Sequence, residues 1–133
     1  LSDYCKKLTG IRQFDVTSLV SSLPFPKVIE VLEKWVKEKS DKELKELIFC
    51  SWGYYDKKMF EIECKRHNIE YPFGNHISLK HEFAKRNKQK PKGMTKVLEM
   101  LGIKLEGEHH RALDDARNIS KIFIKEWSKN EIR

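Results

Sequence analysis

The sequence is poor in the residues that interrupt or staple a chain. Four prolines and six glycines in 133 residues leave long stretches free to form regular elements. Three cysteines, Cys5, Cys50 and Cys64, are odd in number and far apart. That spacing argues against a disulfide framework and for a reducing cytoplasm. No apolar run approaches the roughly 20 residues of a spanning helix, and no signal-peptide pattern opens the chain, so no membrane partner is expected. Internal repeats and low-complexity linkers are absent. Acid is outnumbered: 20 Asp and Glu against 27 Lys and Arg give a net charge of +7, which favours a polyanionic partner, and of nucleic acid and an acidic membrane face the former is expected. The length suits one domain, taken as residues 1–133.

What is present reads as α/β. SDYCKKLT (2–9) suits a short helix stopped at Gly10, and 17–22 the start of another, broken by Leu23-Pro24-Phe25-Pro26. KVIEVLEKWVKEK (27–39) carries Val28, Leu32, Trp35 and Val36 at helical spacing. LIFCSW (47–52) is apolar, too short for a helix, and reads as a strand buried on both faces. Helices are expected over 54–68, after a short strand in HISLK, over 94–103 up to Gly102, and from Ala112 to Ser128. Residues 69–75 turn through Pro72 and Gly74.

Two aspartates stand out. At about 100° per residue, with Ile119 centring the inner face of the last helix, Asp115 falls about 40° away, beside Ala112, Ala116, Ile122, Phe123 and Trp127. Asp114 falls opposite, on a face with Asn118, Lys121 and Lys125 that reads as solvated. Asp56 lies one turn before the apolar Met59, Phe60 and Cys64, just past the carboxyl end of the expected strand, where open α/β sheets bind ligands. Each aspartate is also a residue type that caps or opens helices. A divalent cation accounts for both intrusions together, since a carboxylate on a buried stripe is costly unless a cation or donors meet it. His110, five residues before Asp115 and behind Gly107, is placed to reach a water beside such a cation; an imidazole titrates close to neutral pH and suits a general base. An exposed loop histidine is the plainer alternative, and His109 reads as solvated.

AKRNKQKPKGMTK (84–96) holds Lys85, Arg86, Lys88, Lys90, Lys92 and Lys96 with no acid, a stretch that serves either as a solvated loop or as a track for phosphates. Tyr54, Tyr55 and Phe73 could stack on bases or pack in a core. Cys64 and His67 have C-x-x-H spacing, but without a second paired Cys motif a structural zinc site is not expected.

With these residues in view the chain resembles the DEDDh 3′-to-5′ exonucleases, the Eri1-like or sporulation-inhibitor-type branch in particular. HHRALDDARNISKIF resembles their third motif and SWGYYDKKMF their second; LTGI with Gln13 and Val16, and ISLKHEFA, resemble the segments around them. The resemblance implies a ribonuclease H-like α/β fold. It implies two divalent ions, Mg²⁺ or Mn²⁺, and hydrolysis of the last phosphodiester at a 3′ end, RNA favoured over DNA. It casts Asp56 and Asp115 as metal-binding carboxylates and His110 as general base. Leu8, Thr9, Ile11 and Tyr55 would lie along the terminal nucleotide, while Lys85, Arg86, Lys88, Lys90 and Lys92 would follow the backbone.

The family's first motif, D-x-E on the first of three antiparallel strands, belongs upstream of LTGI, and LTGI begins here at Leu8. Phe14-Asp15-Val16-Thr17 follows LTGI and has threonine in place of the glutamate, so it is no substitute. The expectation is therefore an N-terminally incomplete exonuclease domain lacking the antiparallel strands, holding two of four carboxylates. Its 47–52 strand would be left with an apolar edge open to self-association. Turnover by this chain alone is expected to suffer, because the missing pair would bridge the ions. A non-catalytic nucleic-acid-binding module and a regulatory interaction domain are the alternatives on the same fold.

Overall fold

The computed structural model describes residues 2–9, 11–13 and 22–128. The helix expected from 17, its neighbour Asp15 and the stop at Gly10 lie outside them. The elements in order are α1 (Asp3–Thr9), α2 (Phe25–Ser40), a 3₁₀ turn (Leu44–Glu46), β1 (Phe49–Ser51), α3 (Tyr55–Arg66), β2 (His76–Ser78), α4 (Leu79–Arg86), α5 (Met94–Met100) and α6 (Ala112–Trp127). Among the described residues β1 and β2 form a two-stranded sheet. The chain gathers into two compact units, one of residues 1–13, 51–53 and 78–133, the other of 14–50 and 54–77.

The first unit is built on α5 and α6. Met94, Val97 and Leu98, at one-turn spacing on α5, meet Ile122 of α6 and Phe83 of α4, with Trp52, Leu101, Ile103, Ile119 and Trp127 around them. Val97 and Ile122 are fully buried, and each such side chain contributes roughly 1.5–3 kcal/mol of transfer free energy. α5 stops as its sequence requires. Gly102 takes a left-handed φ of 67° while its N–H reaches Glu99 O and the Ile103 N–H reaches Leu98 O, the paired bonds of a Schellman stop. α3 and α4 end on the same pair of bonds, with Asn68 and Lys88 in the left-handed position.

The burial of α6 differs from the hydropathy reading. Its buried residues are Asn118, Ile122 and Glu126, so the inner face centres on Ile122, about 60° round from Ile119. Phe123 is 43% exposed and Ala112 and Ala116 are exposed, whereas Asn118, assigned to solvent, is fully buried. The reason is polar partnership. Asn118 and Glu126 go inside because other parts of the unit satisfy them. Glu126 Oε1 faces Arg86 Nε at 3.6 Å and accepts from Asn87 Nδ2 at 3.2 Å. The Arg86 guanidinium also donates to Glu126 O at 3.2 Å and lies 5.1 Å over the Trp127 ring.

The second unit has an aromatic core. Phe49 stacks on Phe73 with centroids 4.5 Å apart, Phe60 meets Phe73 edge-on at 4.8 Å, and Phe25 stacks on His67 at 5.5 Å. Gly74 is required beside it: an added Cβ would collide with the backbone carbonyl oxygens of Lys45 and Leu47. Two expectations need correction. α2 begins at Phe25, with Pro26 in the first turn, where a missing N–H costs nothing. It buries Ile29 and Val36 and leaves Val28 and Trp35 exposed, because its apolar residues circle more of the helix than the unit can cover. The strand is also shorter than 47–52 and is not buried on both faces, since Ile48 and Cys50 are exposed in a sheet of two short strands.

Arg86→Ala leaves the Glu126 carboxylate buried without its cation. The expected loss is about 2–3 kcal/mol, somewhat below a fully buried pair because Arg86 is partly exposed, read from urea unfolding.

Candidate active site

The segment leading into α6 is held by side chains of that helix. Asn118 clips Glu106 at both backbone groups: its Oδ1 accepts from Glu106 N and its Nδ2 donates to Glu106 O, each at 2.9 Å. Two residues on, Glu108 N donates to Asp114 Oδ2 at 3.0 Å. Two further on, His110 N donates to Asp115 Oδ1 at 3.2 Å. Gly107 sits between the first two clips at φ 65°, and a Cβ there would overlap the Asp114 carboxylate. Asp114 is therefore not on a solvated face. It is three-quarters buried against the lead-in and faces Arg117 Nη1 at 3.9 Å. Both aspartates lie in the first turn of α6, where the helix dipole favours negative charge.

His110 is exposed and has a left-handed φ of 73°. A non-glycine residue in that region is strained and persists only where its surroundings hold it; here the bond to Asp115 and the turn bond from Arg111 N to Glu108 O, 3.2 Å, do so. His109, read as solvated, is half-buried. Its Nδ1 lies 3.0 Å from Asp115 Oδ1, and its ring stacks on that of His110 at 3.8 Å. Residues 109, 110 and 115 thus bring one ligand atom each to within 4.8 Å of one another. No helical or strand periodicity marks His109, because the loop that aims it is set by side-chain clips from α6 and not by a regular element of its own.

The LTGI segment meets the same lead-in. Thr9 Oγ1 donates to Cys5 O at 2.8 Å and accepts from Ile11 N at 3.1 Å, fixing the end of α1. Arg111 Nη1 reaches Thr9 O at 3.4 Å. Leu8 is 39% exposed and Ile11 partly buried. In the other unit, Asp56 is the second residue of α3 and exposed, and the N-cap position falls to Tyr54, which makes no side-chain capping bond. Tyr55 is 72% exposed and Tyr54 58%. Phe73, by contrast, belongs to the aromatic core. His76, which packs against Phe49 and Tyr54, is held below the ordinary histidine range by burial and by Lys57, with Asp56 pulling the other way.

In the basic stretch, Lys85, Lys88 and Lys90 lie on the surface at the end of α4 and in the loop after it. Lys92 Nζ donates to Gln89 Oε1 at 2.6 Å. Arg86 differs, its charge being met by Glu126.

The exonuclease family profile (RNase_T) matches residues 1–123. The chain belongs to the exonuclease family. ERI1 exoribonuclease 2 of Mus musculus is 30% identical over 94% of this chain and 20% of its own length. The 3′-5′ exoribonuclease 1 of Homo sapiens is 31% identical over 94% and 36%. Among solved structures, the nuclease domain of 3′hExo, a DEDDh family member bound to rAMP, superposes with a TM-score of 0.84 at 29% identity over 98% of this chain and 66% of that one. A 3′-exonuclease in a structure of specific recognition of the histone mRNA stem-loop 3′ end gives 0.81 at 26% identity, over 98% and 59%. The chain therefore spans about a fifth to a third of those two curated relatives, and its fold is the ribonuclease H-like exonuclease fold. The lead-in loop held by the three side-chain clips carries the residues that resemble the family's third motif.

Asn118→Asp keeps the oxygen that receives Glu106 N but removes the donor to Glu106 O, placing an unpaired charge in the interior. A loss of about 2–3 kcal/mol in denaturant unfolding is expected, with Asn118→Ala in the same range.

Proposed function

We propose that the chain is the catalytic portion of a divalent-metal-dependent 3′-to-5′ exonuclease acting on RNA. The observation that carries the reading is the third-motif loop, in which Asp115 is three-quarters buried with donors on Oδ1 while His110 stands exposed next to it on a clamped backbone. Asp56 and Asp115 are hard oxygen donors of the kind Mg²⁺ and Mn²⁺ take, and are assigned as their carboxylates. When bound, such ions lower the pKa of water and neutralise charge at the scissile phosphate.

The remaining work falls to the chain itself. His110 accepts a proton from the attacking water: among the described residues no hydrogen bond engages its imidazole, and Asp115 takes its backbone N–H. Tyr55 offers an exposed ring to the terminal base, and Leu8, Thr9 and Ile11 flank that nucleotide. Lys85, Lys88, Lys90 and Lys92 meet phosphates, a sequence-blind attraction. Arg86 takes part only weakly, since Glu126 offsets its charge. The RNA preference follows the names of the relatives, exoribonucleases and a histone mRNA stem-loop complex.

A second reading, a nucleic-acid-binding module without turnover, is favoured by one observation: Lys85, Lys88 and Lys90 are exposed together, and such cations hold phosphates whether or not cleavage follows. One assay separates the two. A 3′-labelled RNA is incubated with Mn²⁺ and the chain carrying a D-x-E strand segment upstream. Shortening from the 3′ end is expected, with Asp115→Ala, Asp56→Ala and His110→Ala each reducing the rate by at least about 100-fold. Salt-sensitive binding with intact RNA supports the second reading and rejects the first.

A further inference from the structure

We infer that His109 is a positioning residue: it orients the Asp115 carboxylate for a divalent cation, an inference that rests on the metal-ion reading of Asp115 above. An ionised carboxylate only accepts hydrogen bonds, so His109 Nδ1, 3.0 Å from Asp115 Oδ1, carries the proton and donates. His110 N donates to the same oxygen at 3.2 Å. Both bonds converge on Oδ1, and among the described residues Oδ2 is left to face a cation. The carboxylate is thereby fixed in rotation without losing its ligand atom. A metal-binding carboxylate held by outer hydrogen bonds in this way gains affinity through orientation, and removing such a partner commonly costs about 10–100-fold.

The imidazole of His109 has a second contact. It stacks on His110 with centroids 3.8 Å apart and planes 29° apart. One side chain therefore touches both the metal-facing acid and the exposed histidine. With 36% of its side chain accessible, His109 is shielded enough for its bond to Asp115 to persist, and Asp115 is 25% accessible beneath it. The competing role is obstruction, in which His109 occupies the place the cation needs and must be expelled. The two roles make opposite predictions for affinity.

Mn²⁺ binding to the 133-residue chain, followed by electron paramagnetic resonance, decides between them. Asp115→Ala marks the site. His109→Ala and His109→Phe are expected to bind Mn²⁺ about tenfold or more weakly. His109→Phe keeps a ring against His110 but has no donor, so a loss there belongs to the hydrogen bond. His109→Asn, whose amide can donate over a similar reach, is expected to recover most of the affinity. In the nitrogen-detected imidazole spectrum of the wild type, His109 is expected to carry its proton on Nδ1. Unchanged affinity in His109→Phe, or tighter binding in His109→Ala, overturns the inference while leaving the metal reading standing. Absence of Mn²⁺ binding in the wild type, or full retention in Asp115→Ala, overturns the metal reading and the inference with it.

Discussion

Three alternate backbone N–H groups, those of residues 106, 108 and 110, are taken by three side chains of one helix, Asn118, Asp114 and Asp115. This is the constraint on which the rest of the candidate site depends. A loop leading into a helix ordinarily leaves such groups to water. Here the helix supplies acceptors at the pitch of the incoming chain, so the segment is bound to it nearly as an added strand binds a sheet edge. Two of the acceptors are carboxylates, and hydrogen bonds to charged groups contribute about 1.5–3 kcal/mol each where solvent is limited. That is sufficient to hold His110 in a left-handed conformation that would otherwise be unfavourable.

The clamp explains features of the sequence that are otherwise unrelated. Gly107 is needed because Asp114 lies where a side chain would stand. Asn118 is buried because Glu106 offers it one donor and one acceptor, the pair an amide can match. Lys121 and Arg117 gather on the Glu106 carboxylate at 2.8 and 3.6 Å, over the outside of the same turn. Asp115 emerges with one oxygen committed and the other, among the described residues, available. On the proposed function this is a metal-binding acid, and the local physics supplies one already oriented for that use.

Much of this was legible in the residues. The helices around 27–39, 54–68 and 94–103 follow from the residue pattern, Gly102 marks a stop, and the motif HHRALDD points to the loop that matters. The faces of α6 were less legible. Hydropathy assigns Asn118 and Asp114 to solvent because it registers the cost of burying polar atoms and not the partners that remove it. His109 was missed for the same reason: its partner is six residues away and the turn between them is set by Gly107 and Asp114. Arg86 resembles its lysine neighbours in sequence, yet buried Glu126, forty residues on, gives it a structural task. The apolar run 47–52 suggested a strand closed on both faces, whereas burial depends on what covers the sheet, which the run itself does not encode.

Hydrogen exchange of individual amides tests the clamp most directly. The amides of Glu106, Glu108 and His110 are expected to exchange markedly slower than those of Gly107 and His109, giving an alternating pattern along an otherwise surface loop. Uniform, unprotected exchange from 106 to 110 would mean that the helix does not hold its lead-in, and the preformed site at Asp115 would go with it.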